Sequence, residues 1–118
     1  MKRDQNPLGS IFLSNRSLAS IASQSALESY GIVGLAAKNL AEGISHAIVK
    51  DPVQGVDIRM EESAVIIDLY VIVEYGTRIK SVADNAAELI KYQVENTTGL
   101  TVKKVNIHVR GLRISNTD

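Results

Sequence analysis

Ala64-Val65-Ile66-Ile67-Asp68-Leu69-Tyr70-Val71-Ile72-Val73-Glu74-Tyr75 is the stretch that decides the fold. In an extended strand, successive side chains point to opposite faces. One face carries Val65, Ile67, Leu69, Val71 and Val73, all aliphatic and mostly β-branched. The other carries Ile66, Asp68, Tyr70, Ile72 and Glu74, a mixture. The uniform face is expected to lie against helices and the mixed face away from them.

The flanking sequence supports this. Upstream, Val56, Ile58 and Met60 alternate with Asp57, Arg59 and Glu61, a strand with one wet face, and Glu61-Glu62-Ser63 makes the turn between the two. Downstream, Gly76 closes the long strand. Ser81 with Asp84 three residues later resembles a capping box. Val82, Ala86, Leu89, Ile90 and Val94 then form a helical stripe that Thr97-Thr98-Gly99 ends. From Val102 to Ile114 a last strand sets Val105, Ile107 and Val109 against Lys104, Asn106, His108 and Arg110.

Further upstream, Ile11-Phe12-Leu13 reads as a short first strand, and Ser14 or Asn15 as a helix cap. Leu18, Ile21, Ala22, Ser25 and Ala26 follow at helical spacing, with Gly31 as the terminator. Gly31-Ile32-Val33-Gly34 reads as a tight apolar linker. Leu40, Ile44 and Ile48 suggest a second, shorter helix over about 36–49. Gly43 weakens it by roughly 1 kcal/mol relative to alanine, and Asp51-Pro52 should stop it. Residues 1–9 read as a flexible leader, 10–114 as a single domain and 115–118 as a polar tail. The order is β, α, short α, β, β, α, β. The expected fold is α/β of the α+β type: a two-layer sandwich, with two main helices on one face of a mostly antiparallel four-stranded sheet.

At 118 residues the chain suits one domain with a core of its own. Lys plus Arg and Asp plus Glu are equal at 13 each, so the formal net charge is zero. A nucleic-acid binder would usually carry a basic excess to meet phosphates, which counts against that class, and no DNA partner is expected. There are no cysteines, which removes disulfides, thiolate catalysis and cysteine zinc sites. No apolar run approaches the ~20 residues needed to cross a bilayer, and no signal-peptide pattern follows Met1. The reading is therefore cytoplasmic, peripheral to the membrane only through a partner, with no direct membrane insertion.

Several segments together carry a family resemblance. They are Ser29-Tyr30-Gly31-Ile32-Val33-Gly34-Leu35-Ala36, the run Ile67 to Gly76, Asn96-Thr97-Thr98-Gly99-Leu100, and Val105-Asn106-Ile107-His108-Val109-Arg110-Gly111. In this order and spacing they resemble the alkaline shock protein family, envelope stress response proteins of Gram-positive bacteria, in its short single-domain subgroup. The resemblance covers about residues 9–114. It implies a cytosolic, non-enzymatic protein linked to envelope stress and homeostasis, with no catalytic residues and no cofactor. It also implies a protein partner: a second copy in a homo-oligomer, a membrane-anchored protein, or a dihydroxyacetone-kinase-like protein of fatty-acid metabolism. The long charged extension of larger members is not expected here.

Read as chemistry, the mixed face of the long strand is the candidate site. Ile66, Tyr70 and Ile72 form an apolar row of the kind that marks a protein contact, with a tyrosine at its centre. If the strands pair, Arg59, Asn106, His108 and Arg110 rim that row. The competing reading is that the 36–49 helix covers this face and makes it ordinary core. No metal site is expected, because His46 and His108 are too few ligands for zinc. Asp68 and Glu74 lie about 20 Å apart on one strand, too far for a carboxylate pair, and read as solvated or salt-bridged acids. Gly31 to Gly34 has the spacing of a KH-domain GXXG loop, so a small KH-like RNA-binding module is the alternative function. Lys103, Lys104, Arg110 and Arg113, with Arg78 and Lys80, make a basic edge. Solubility accounts for it more simply than lipid contact does.

Overall fold

The computed structural model describes residues 14–37 and 48–114. The expected first strand at 11–13, residues 38–47 of the expected short helix, the leader, the tail and His46 lie outside them.

Helix α1 spans Asn15–Leu27, and its cap is Ser14, whose Oγ accepts from the Ser17 amide at 3.1 Å. Strand β1 is Ile32–Leu35. A short 3-10 turn, Pro52–Gly55, leads into β2 at Val56–Glu61. Strand β3 is Ala64–Glu74, helix α2 is Ile79–Thr98 and strand β4 is Thr101–Arg113. The fold class is the one the sequence implies: two helices on one face of a four-stranded sheet, with two of the three strand pairings antiparallel.

Strand β3 runs through the middle of the sheet. On one edge it pairs with β2 over residues 64–69 and with β1 over residues 71–73, both antiparallel. Along the other edge β4 pairs with it in parallel for its whole length, after the crossover through α2. Strands β1 and β2 thus share one edge of β3 end to end. Their junction is at Tyr70, whose carbonyl accepts from the Ala36 amide at 2.8 Å. Gly55 is the residue that fits there: a Cβ on it would lie 2.7 Å from the Ala36 carbonyl oxygen.

Four local expectations change. The Gly31–Gly34 segment is not a linker, because residues 32–35 are β1. Gly31 takes a left-handed conformation at φ +90°, and its carbonyl accepts from the Glu74 amide at 2.7 Å, which ties β1 to the end of β3. The helix it was expected to end stops earlier, at Leu27. Ser81 and Asp84 form no capping box, since α2 begins at Ile79 and Asp84 pairs with Lys80 at 3.0 Å. The described ends of the 36–49 segment are extended: Ala36 and Ile48 form an antiparallel bridge.

The core lies between the helices and one sheet face. Val65, Ile67, Leu69, Val71 and Val73 of β3 are all fully buried. They meet Leu18, Ala19, Ala22 and Ala26 of α1 and Val82, Ala86, Ile90 and Val94 of α2. The small alanines let both helices approach the sheet, and burial of this apolar surface is the main stabilising term.

Candidate functional site on the open sheet face

The opposite face of β3 is built differently. Cross-strand pairing sets Arg59 beside Ile66, Asp68 beside Asn106, and Tyr70 beside His108. Alternation then brings Arg59, Asp68, Tyr70, Asn106 and His108 onto one surface. Arg110 joins them from the irregularity in β4 opposite Val71 and Ile72.

Asp68 is the hub, and it is only 7% exposed. Its Oδ1 accepts from Asn106 Nδ2 at 3.0 Å and lies 3.0 Å from His108 Nε2; its Oδ2 accepts from Arg59 Nη2 at 3.1 Å. An ionised carboxylate only accepts, so the His108 nitrogen is the donor. Burial pushes the Asp68 carboxyl up. The hydrogen bonds from His108, Asn106 and Arg59, with the Arg59 charge, outweigh that and hold it below its ordinary 3.8. A carboxylate so held is a poor proton acceptor, so this cluster suits positioning rather than general base chemistry.

Above this hub lies a planar stack. The Tyr70 and His108 rings are 4.7 Å apart at 15°, and the Arg110 guanidinium carbon is 4.8 Å from the Tyr70 ring centroid. Tyr70, His108 and Arg110 are each partly exposed.

The residues singled out from sequence therefore divide into two groups. Arg59, Tyr70, Asn106, His108 and Arg110 come together in one network. Ile66 and Ile72 do not form an open apolar row with Tyr70, because they are 6% and 2% exposed. Ile72 sits with Ile48 at a depression that Leu112 and Arg113 also line. Ile48 also lies over Gly34, within 2.8 Å of where a Cβ would stand. Ile66 is flanked on its own face by Arg59 and Lys104, whose aliphatic stems are suited to cover it. Asp68, the centre of the network, was read only as a solvated or salt-bridged acid. The sequence signal for more was a carboxylate amid aliphatics on the strand with the cleanest apolar face.

Other candidates gain nothing from the geometry. The Gly31–Gly34 spacing lies in β1 and its approach, with Gly34 buried, so it offers no loop to clamp a nucleic-acid backbone. Lys103 of the basic edge is bonded to Glu61 at 2.7 Å. Among the described residues, no group of three or more His, Cys, Asp or Glu could hold a metal ion. No described helix is long and apolar enough to cross a membrane.

Fold and site together define a small α+β domain whose sheet is covered by helices on one face and carries a hydrogen-bonded polar network on the other. The chain belongs to the alkaline shock protein 23 family, described as having cell envelope-related function, whose model matches residues 3–114. It is 43% identical over 110 residues to the uncharacterized protein YloU of Bacillus subtilis (strain 168), covering 92% of each chain. It is 29% identical over 108 residues to the uncharacterized protein Spy1614 of Streptococcus pyogenes serotype M6, covering 90% of this chain and 89% of that one. Among solved structures, MamM CTD in its copper form superposes with a TM-score of 0.51 at 11% identity, covering 86% of this chain and 90% of that one. That likeness is one of fold alone.

Proposed function

We propose that the protein is a non-enzymatic adaptor in envelope homeostasis, binding a protein partner through the open sheet face. The observation that carries this reading is the partly exposed Tyr70–His108–Arg110 stack, whose His108 is held by buried Asp68. Tyrosine and arginine held in a set geometry lose little conformational freedom on binding, which is why they dominate protein contacts. The family's cell envelope-related function supports the setting. The partner is a second copy, a membrane-anchored protein, or a dihydroxyacetone-kinase-like protein, and it brings the chain to the membrane periphery.

The test is affinity capture from soluble and membrane fractions of the native cell, with Tyr70→Glu as the matched bait. Circular dichroism and sedimentation are run on both purified chains. The reading predicts a partner, or self-association, that the folded variant loses at least tenfold. A folded Tyr70→Glu chain that keeps every interaction sinks it.

A further inference from the structure

The open edge of β4 carries an observation that the Tyr70 face does not use. Among the described residues, β4 has a strand neighbour on one side only. It is the longest strand, Thr101–Arg113, and its pairing with β3 is regular from Lys104 to Val109. The irregularities fall outside that stretch, at Lys103 and Arg110. A regular edge of this kind presents unpaired backbone donors and acceptors to any chain that can lie beside it.

The side chains define what would fit. Strand β4 contains Lys103, Lys104, Arg110 and Arg113 and no acidic residue. On the open face, Lys104 and Arg110 bracket the regular stretch. On the helix side, Val105, Ile107 and Val109 are only partly buried, whereas their β3 neighbours Ile67, Leu69 and Val71 are fully buried. The core is thus incompletely covered along this edge. A second copy lacks the complementary charge: its own β4 strand carries no acidic residue, and antiparallel pairing about Ile107 would set Lys104 opposite the other chain's Arg110, where like charges repel.

We infer that the β4 edge is a strand-addition site for an extended segment of another protein in which acidic and aliphatic residues alternate. The aliphatic set would extend the core layer beside Val105, Ile107 and Val109. The acidic set would meet Lys104 and Arg110 on the open face. Main-chain hydrogen bonds would supply affinity and the alternation specificity. This site shares Arg110 with the Tyr70 surface, but its backbone contacts along β4 do not involve the Tyr70 ring.

The experiment uses the full chain and a fluorescein-labelled nonapeptide alternating Glu and Val. Three comparisons accompany it: a Lys/Val peptide, a Glu/Val peptide N-methylated at alternate residues, and the variant Lys104→Glu/Arg113→Glu, both exposed positions. Anisotropy reads affinity, and hydrogen exchange with mass spectrometry reads protection. The expected result is saturable binding of the Glu/Val peptide with new protection confined to 101–113. Alternate N-methylation, which removes donors but keeps charge, should weaken it about tenfold or more, and so should the double variant. Equal binding of the N-methylated peptide means charge attraction alone and overturns strand addition. So do protection elsewhere, equal binding of the Lys/Val peptide, and the absence of binding. Concentration-dependent protection of 101–113 without peptide would overturn the occupant, identifying it as a second copy.

Discussion

The helix side of β3 presents Val65, Ile67, Leu69, Val71 and Val73, five aliphatic side chains that are all fully buried. The other side presents Asp68 and Tyr70 between Ile66 and Ile72, which are also buried. One backbone therefore serves two kinds of surface. On the first, stability comes from the amount of apolar area removed from water and how tightly it is filled. On the second it depends on whether each polar group finds its partner, because an unsatisfied buried group costs more than a satisfied one contributes. The contrast teaches that the two faces differ in the means of satisfaction as well as in exposure, since Tyr70 and Glu74 stay partly exposed while Ile66, Asp68 and Ile72 are buried.

The strongest way to break the comparison is to damage the helix side. Leu69→Ala should lower unfolding free energy by about 3 kcal/mol, as large-to-small changes in full cores do. Urea titration followed by circular dichroism measures it. A loss below about 1 kcal/mol would mean that this side is loosely filled and that the distinction between the faces fails.

Next comes the joint that lets two strands share one edge of β3. Gly55→Ala would put a Cβ 2.7 Å from the Ala36 carbonyl oxygen and 2.7 Å from Leu35 Cβ. The first of these is backbone and cannot swing aside. The expected cost is about 2 kcal/mol, in the range of overpacking, read by the same titration. Hydrogen exchange should show the loss of protection concentrated at β1 and at the start of β2.

The sequence made the first face plain and the second only in part. Five aliphatics at period two cannot be mistaken, and the β2–β3 turn was visible as Glu61-Glu62-Ser63. In the structure, Glu62 and Ser63 take positive φ values of 52° and 70° there. Strand β1 was hidden because four residues beside glycines give no periodicity; only its pairing to Val71–Val73 makes it a strand. The start of α2 was misplaced because the Ser81–Asp84 spacing mimics a cap, whereas the helix begins without a side-chain cap. On the mixed face, Arg59, Asn106, His108 and Arg110 were legible as a rim. The hub was not, since Asp68 meets Asn106 and His108 across 38 and 40 residues of chain. Ile72 likewise shares a depression with Ile48, which lies over its β1 neighbour Gly34, a proximity that no local pattern encodes.

A third prediction tests that hub. Asp68→Asn keeps the shape and removes the charge, and should cost about 1.5 kcal/mol near neutral pH, typical for a hydrogen-bonded charge. Its pH dependence has a definite sign. The folded carboxyl lies below its ordinary 3.8, so the unfolded chain binds the proton more readily. The stabilisation is complete above about pH 5 and is lost as pH falls through the folded value. Asp51, lowered by its bond to Arg16, and Glu61, lowered by its bond to Lys103, act in the same sense and remain in the variant. The acid slope of Asp68→Asn should therefore be shallower than that of the parent but not flat. An unchanged slope would show that Asp68 does not hold its charge through these bonds.

The smallest effect is the most informative about the surface proposed to bind. The Arg110 guanidinium over the Tyr70 ring should contribute only about 0.5 kcal/mol of coupling, since the pair is partly exposed. Single variants would mix this with the stacking of Tyr70 on His108 and with lost area. A double-mutant cycle using Tyr70→Leu and Arg110→Met isolates it. Coupling near 0.5 kcal/mol means the two groups already share one geometry in the free protein, so a partner meets a preformed surface. Coupling indistinguishable from zero means each side chain moves independently. Any ordering of the stack would then fall on the binding step, and affinity through this face would be correspondingly weak.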